Sequence, residues 1–130
     1  RTVLVVEDGP DNQNLIAHCV QHAGAAVIVA GNGVECVAAV ERNRLAANRI
    51  DVILMDMEMP VMDGYAATRA LRSAGVQIPI VALTANAMAD DHARCLDAGC
   101  DAYLAKPFIT AQLLQMIHDL ARRQTSTRVA

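Results

Sequence analysis

Residues Ile53 to Gly64 read ILMDMEMPVMDG, an apolar run that ends on Asp56 and continues into a loop with a second aspartate, Asp63. Asp is common where a strand turns into a loop, because its side chain can hydrogen-bond its own backbone. By itself, Asp56 is therefore best interpreted as a turn residue. A reactive role requires that other parts of the chain bring matching chemistry to the same place.

Four other apolar runs are similar to the one before Asp56, and none of the five alternates polar with apolar residues. This pattern is typical of strands that are buried on both faces, as in a parallel sheet covered by helices. The predicted strands are TVLVV (Thr2 to Val6), AAVIVA (Ala25 to Ala30), DVILM (Asp51 to Met55), IPIVAL (Ile78 to Leu83) and AYLA (Ala102 to Ala105).

Helical patterns separate the five runs, and the clearest of them are amphipathic. Pro10 suits a first helical turn, and Gly24, Gly75 and Gly99 stand where helix C-caps are expected. Strands and helices then alternate strictly, and right-handed crossovers produce a doubly wound α/β sheet. The helical patterns cover Leu15 to Ala23, Val34 to Leu45, Gly64 to Ser73, Ala87 to Ala98 and Leu113 to Ala121.

The length and composition of this 130-residue chain indicate one soluble domain. We expect residues 1–121 to form the domain and residues 122–130 to form a linker or tail. Its 11 basic and 14 acidic residues leave a net charge of −3, which argues against a nucleic-acid surface. No apolar run approaches the roughly 20 residues of a membrane helix. The four cysteines form no C-x-x-C pair and are expected to pack as reduced thiols. The expected partners are proteins.

Polar residues follow four of the five predicted strands. Glu7 and Asp8 come after the first, Asp56 after the third, Thr84 after the fourth and Lys106 after the fifth. Ligands of open α/β sheets bind beyond these carboxyl ends. Three carboxylates there would repel one another, and a hard cation such as Mg²⁺ would offset the repulsion. A lysine and a hydroxyl suit phosphoryl oxygens, and an anionic carboxylate can attack phosphorus without a separate base.

Several segments, in this order, resemble the receiver domain of two-component response regulators. The resemblance runs from about Val3 to Ala121, and VEDGPDNQ and MPVMDGYAATRALR are further similar to the receivers of hybrid sensor histidine kinases. It implies a flavodoxin-like (βα)5 three-layer sandwich with parallel strands in the order 2-1-3-4-5. The segments are VVED (Val5 to Asp8), MDMEMPVMDG (Met55 to Gly64), ALTA (Ala82 to Ala85) and AGCDAYLAKPF (Ala98 to Phe108).

The resemblance also implies a role for each site residue and a cis peptide bond between Lys106 and Pro107. The partner would be a histidine kinase or a histidine phosphotransfer domain, and the domain would catalyse its own phosphorylation and dephosphorylation. Its location would be cytoplasmic, either free or as part of a membrane-bound sensor kinase. By these roles, Asp56 accepts a phosphoryl group; Glu7, Asp8, Asp56 and the backbone carbonyl of Glu58 bind Mg²⁺; Thr84 and Lys106 hold phosphoryl oxygens; and Thr84 and Tyr103 switch conformation.

Two positions depart from the family pattern. Gly9 replaces a frequent Asn or Asp after the acidic pair, and Glu58 adds a carboxylate at a position that is linked in the family to phosphoryl lifetime. Two alternatives remain. A haloacid-dehalogenase-like phosphatase would need D-x-D-x-[TV] after the first strand, whereas this chain has DMEMP after the third. A degenerate receiver that only binds partners would lack phosphorylation residues, but all of them are present.

Overall fold

The chain folds into a five-stranded parallel sheet with helices on both faces. The computed structural model describes the backbone of residues 1–85 and 89–129 and the side chains of residues 1–85 and 91–122. The elements alternate as β1 (Thr2–Val6), α1 (Pro10–His22), β2 (Ala26–Ala30), α2 (Gly33–Leu45), β3 (Val52–Asp56), α3 (Gly64–Ser73), β4 (Ile80–Thr84), α4 (Ala89–Ala98), β5 (Ala102–Ala105) and α5 (Thr110–Val129).

The strand order is β2-β1-β3-β4-β5, and every neighbouring pair is parallel. This order confirms the fold predicted from the sequence. It also places the ends of β1, β3, β4 and β5 next to one another, since β1 pairs with β3, β3 with β4, and β4 with β5. The residues that follow these strands are therefore brought to one edge of the sheet.

Two apolar clusters fill the space above and below the sheet. Alternate residues of a strand point to opposite faces, so Leu4 of β1 packs with α2, α3 and α4 while Val3 packs with α1 and α5. Three layers result, with β1, β3 and β4 buried in the middle. This middle layer is the rigid support of the carboxyl-end residues.

The prediction that all five strands are buried on both faces is wrong for β2 and β5. Val29 of β2 is 48% exposed and Tyr103 of β5 is 36% exposed. Both strands lie at an edge of the sheet, where one side has no neighbouring strand and the covering helices reach less far. Their apolar composition alone did not distinguish them from the central strands.

The strand boundaries match the predicted ones to within two residues, whereas α5 runs from Thr110 to Val129 and is longer at both ends than predicted. β4 begins at Ile80 rather than Ile78, because Pro79 has no N–H to donate to a neighbouring strand. The predicted start of the fourth helix lies outside the described residues. The predicted linker or tail is helical as far as Val129, and its role as a linker stays a prediction.

The three predicted cap glycines all have positive φ, at +99° for Gly24, +84° for Gly75 and +115° for Gly99. Glycine reaches this conformation without the steric penalty of a Cβ. Within the part of the chain that the structure describes, no helix is both long and apolar enough to cross a bilayer.

Candidate functional site

Three carboxylates meet where β1 and β3 end side by side. Val6 pairs with Met55, so the residues that follow each of them, Glu7 and Asp56, lie at the same level of the sheet. One carboxylate oxygen each of Glu7, Asp8 and Asp56 lies within 4.8 Å of the others. Glu7 and Asp56 are each 2% exposed, whereas Asp8 is exposed. The cluster is thus buried on one side and open to solvent at Asp8.

Lys106 places its ammonium group against the two buried carboxylates. Its Nζ lies 3.2 Å from Glu7 Oε2 and 3.2 Å from Asp56 Oδ1. The Lys106 backbone N–H donates to the Thr84 carbonyl at 2.8 Å, which holds the residue at the end of β5. The peptide bond between Lys106 and Pro107 is cis, as predicted.

Burial is the largest influence on the pKa of Asp56. Burial, followed by a hydrogen bond to Glu7, raises the pKa of Asp56 to about 6, although the Glu58 amide and Lys106 act in the opposite direction. Burial also opposes the charge of Lys106, but the Asp56 and Glu7 carboxylates outweigh it and raise the pKa of the ammonium. Lys106 supplies one positive charge beside a cluster of three carboxylates, so a further cation would be favourable there.

Thr84 ends β4 beside Asp56, but its hydroxyl is engaged by a residue other than Asp56. Thr84 is 1% exposed, and its Oγ1 donates to Glu58 Oε1 at 2.9 Å. The same oxygen accepts from the Ala85 backbone N–H at 3.2 Å. The Glu58 backbone N–H in turn donates to Asp56 Oδ1 at 3.0 Å. Glu58 thus connects the carboxylate cluster to the end of β4.

The side-chain contact of Glu58 was not predicted from the sequence. The family resemblance implied a metal-binding role for its backbone carbonyl and a link between this position and phosphoryl lifetime. The pairing of Asp56 with Leu83 brings the segments after β3 and β4 together. A long acidic side chain two residues after Asp56 can therefore reach Thr84, and the strand order would have been the signal.

The loop after Asp56 is held by close packing at Gly64. A Cβ at this position would lie 2.5 Å from the Asp56 carbonyl oxygen and 2.8 Å from Met57 Cα. Asp63 caps α3, because its Oδ1 accepts from the Ala66 backbone N–H at 2.9 Å. The first turn of α3 therefore lies directly against the peptide of Asp56 and fixes its position.

Tyr103 lies on β5, three residues before Lys106. Its ring stacks on the ring of His92 from α4, with 3.7 Å between the centroids. The tyrosine is 36% exposed. Its predicted change of rotamer together with Thr84 stays a prediction.

The assembled groups suit phosphoryl chemistry. The oxygen donors of Glu7, Asp8 and Asp56 are the kind that Mg²⁺ prefers, and their incompletely compensated charge fits a divalent cation. An anionic carboxylate such as that of Asp56 has the chemistry of a nucleophile, and Lys106 Nζ lies 3.2 Å from its Oδ1. The structure thus brings together Glu7, Asp8, Asp56 and Lys106 directly, and Thr84 through Glu58.

Comparison with known sequences gives the same picture. Residues 3–118 match the response regulator receiver domain family. Relatives include the Sensor histidine kinase RcsC of Salmonella typhi, 39% identical over 126 residues, and the Transcriptional regulatory protein PrrA of Mycobacterium tuberculosis, 36% identical over 125 residues. The alignments cover 97% and 96% of this chain, but 13% of RcsC and 52% of PrrA. The chain therefore spans only part of the length of these relatives.

Solved structures agree with the sequence relatives. The receiver domain of sensor histidine kinase PA1611 from Pseudomonas aeruginosa PAO1, with magnesium coordinated in its active site cleft, has a TM-score of 0.82 and 41% identity, covering 93% of this chain and 97% of that one. The receiver domain of the Francisella response regulator 1452 has a TM-score of 0.86 and 28% identity, covering 95% and 98%. The chain described here belongs to the response regulator receiver domains of two-component systems.

Proposed function

We propose that Asp56 is the phosphoacceptor of this receiver domain and that Glu7, Asp8, Asp56 and the backbone carbonyl of Glu58 hold Mg²⁺. One observation carries the assignment: the buried Asp56 carboxylate takes part in the three-carboxylate cluster, lies 3.2 Å from Lys106 and accepts from the Glu58 amide. Asp8 is exposed, and Glu7 follows β1, which is separated from β4 and Thr84 by β3. Asp56 is thus the carboxylate between all the other groups.

The transfer reaction follows from these groups. An Asp56 carboxylate oxygen attacks the phosphorus of a phosphohistidine, a P–O bond forms, and the P–N bond breaks with its electron pair going to the imidazole, which then takes a proton from solvent. Lys106 and the Thr84 hydroxyl hold phosphoryl oxygens. Mg²⁺, when bound, supplies positive charge that offsets the carboxylates and the incoming group. In dephosphorylation, water attacks the phosphorus, the bond between phosphorus and the Asp56 oxygen breaks, and inorganic phosphate leaves the free carboxylate behind.

Labelling with acetyl phosphate and Mg²⁺ tests the acceptor. The intact protein should gain one phosphoryl group by mass spectrometry, and Asp56→Asn should gain none. Asp97→Asn, which removes an exposed carboxylate from α4, should be labelled like the wild type. Labelling of Asp56→Asn at the wild-type level would refute the assignment.

The family interacts with histidine kinases or phosphotransfer proteins, and we propose that such a partner docks between α1 and the segment after β5. A groove of about 300 Å³ lies there, lined by Asn12, Leu15, Ile16, Lys106, Pro107 and Phe108. Leu15 is 59% exposed and Ile109, next to this groove in the chain, is 62% exposed. Because Lys106 lines both the groove and the acceptor site, a partner seated there can present a phosphohistidine to Asp56.

Leu15→Asp tests this surface. The variant should accept phosphate from a phosphorylated histidine phosphotransfer domain about tenfold more slowly, the loss expected for a central contact residue. Labelling by acetyl phosphate, which needs no docking, should stay unchanged. Leu45→Asp is the matched control, since Leu45 is 72% exposed on α2. Equal transfer rates for wild type and Leu15→Asp would contradict the proposed surface.

The wider context is also a proposal. Because relatives include both hybrid kinases and transcriptional regulators, the domain acts in a phosphorelay whose output lies elsewhere. We infer a cytoplasmic location, where phosphorylated kinases and Mg²⁺ are available, and no direct contact with nucleic acid or membrane. The domain's own catalytic contribution is to its phosphorylation and dephosphorylation.

A further inference from the structure

Glu58 satisfies two hydrogen-bond donors that lie at the end of β4. Its Oε1 accepts from Thr84 Oγ1 at 2.9 Å and from the Ala85 N–H at 3.2 Å. Thr84 is buried, at 1% exposure, whereas Glu58 is exposed. An exposed carboxylate therefore occupies the buried Thr84 hydroxyl and the backbone amide of Ala85, the residue that follows β4.

These two donors can serve only one strong acceptor each. A hydroxyl carries a single O–H and a backbone amide a single N–H. A phosphoryl oxygen on Asp56 that accepts from Thr84 must therefore take the place of Glu58 Oε1. The Glu58 backbone is held against Asp56 by its own N–H at 3.0 Å, so the side chain, rather than the loop, is the part that can leave.

We propose that the Glu58 carboxylate is an internal competitor of the phosphoryl group for the Thr84 hydroxyl and the Ala85 amide, and that phosphorylation displaces it toward solvent. The inference rests on the proposed function of Asp56. Before phosphorylation, Glu58 holds the end of β4 in the arrangement described above. After displacement, the Thr84 hydroxyl and the Ala85 amide donate to a phosphoryl oxygen instead. The free energy of the lost Glu58 contacts opposes this change of partner.

Competition has a quantitative consequence. A ligand shifts a two-state equilibrium only by its differential affinity for the two states. A phosphoryl analogue that binds the wild type must break the contacts of Glu58 with Thr84 and Ala85. Removing the Glu58 carboxylate should therefore tighten the binding of the analogue by the free energy of those contacts. A hydrogen bond to a charged group corresponds to a roughly tenfold effect.

Beryllofluoride with saturating Mg²⁺ is the probe, titrated by calorimetry into wild type, Glu58→Gln and Glu58→Ala. Glu58→Ala should bind about tenfold more tightly, and Glu58→Gln, which keeps an acceptor oxygen but loses the charge, should fall between it and wild type. Asp97→Asn controls for the general loss of a negative charge. Unchanged or weaker binding by Glu58→Ala would overturn the proposal.

A double-mutant cycle separates competition from simple charge repulsion. In a Thr84→Val background the hydroxyl is absent, so the gain from Glu58→Ala should shrink to about threefold or less. Repulsion between Glu58 and the analogue does not depend on the hydroxyl and would leave the gain unchanged. An equal gain in both backgrounds therefore contradicts competition for Thr84.

A measurement without beryllofluoride keeps this test independent of the phosphoacceptor assignment. In ¹⁵N-labelled protein, Glu58→Ala should shift the amide resonance of Ala85 far more than Asp97→Asn does. Absence of that shift would overturn the proposal even where the titration is too weak to measure. Failure of Asp56-dependent beryllofluoride binding in the wild type would instead contradict the proposed function.

Discussion

At the scale of single residues, Lys106 supplies the positive charge that offsets the buried carboxylates of Glu7 and Asp56. It is the only lysine in the sequence, and its ammonium lies 3.2 Å from each of two carboxylates that are almost fully buried. Buried carboxylates without a partner destabilise a fold, because their charge has lost its hydration. Lys106 and a bound cation would act on the same oxygens, so their effects on stability are coupled.

Lys106→Met should lower the free energy of unfolding of the metal-free protein by about 1–3 kcal/mol, the range for lost hydrogen bonds to charged groups. The deficit should shrink in millimolar Mg²⁺, because the cation then compensates the same carboxylates. Thermal unfolding in EDTA and in MgCl₂ measures both quantities. Arg69→Met, on the exposed surface of α3, is the control and should show neither effect. A Lys106→Met deficit that is the same with and without Mg²⁺ would refute the coupling.

At the scale of elements, the side chain of Arg72 forms hydrogen bonds to segments at the amino ends of β4 and β5. From the last turn of α3 it donates to the Val76 carbonyl at 2.8 Å and to the Gly99 carbonyl at 3.0 Å. It also pairs with Asp101 at 2.9 Å, whose carboxylate accepts from the Ile80 N–H. Gly99 leaves room for this arginine, since a Cβ there would lie 2.6 Å from Arg72 Cγ. The contacts fix where β4 and β5 begin.

Arg72→Met should therefore lower the free energy of unfolding by about 2–3 kcal/mol, the sum expected for several partly buried hydrogen bonds at about 1 kcal/mol each. Its effect on beryllofluoride affinity should stay within about twofold, because distant sites without shared partners act independently. Urea unfolding and calorimetric titration measure the two quantities, and Arg69→Met is again the control. A large loss of affinity in the folded variant would show that the two ends of the sheet are coupled.

At the scale of the whole molecule, the sheet assembles a site from residues that are far apart in the chain. Glu7 and Lys106 are separated by 99 positions and contact each other at 3.2 Å. Parallel strands make this possible, because all of them end at the same edge. The two helical layers bury the central strands, and the residues after them gather at the carboxyl edge of the sheet, where Asp8 is exposed to solvent. The site is thus a property of strand order rather than of any local segment.

Much of this organisation was predictable from the sequence. The apolar runs predicted β1 and β5 to the residue, and the cap glycines predicted helix ends, because these signals act locally along the backbone. The polar residues after the strands identified Glu7, Asp8, Asp56, Thr84 and Lys106 as a candidate set. Their order and spacing, together with a parallel sheet, were sufficient to predict one site.

Other features depended on tertiary packing. The exposure of β2 and β5 follows from their position at the sheet edges, and the contact of Glu58 with Thr84 follows from the pairing of β3 with β4. Neither leaves a mark in local periodicity, because a strand has the same alternation at an edge as in the centre. Composition and periodicity established which residues stand at the strand ends. Only the packed sheet decided which carboxylates Lys106 compensates and which acceptor the Thr84 hydroxyl meets, because those contacts depend on side-chain positions across separate strands.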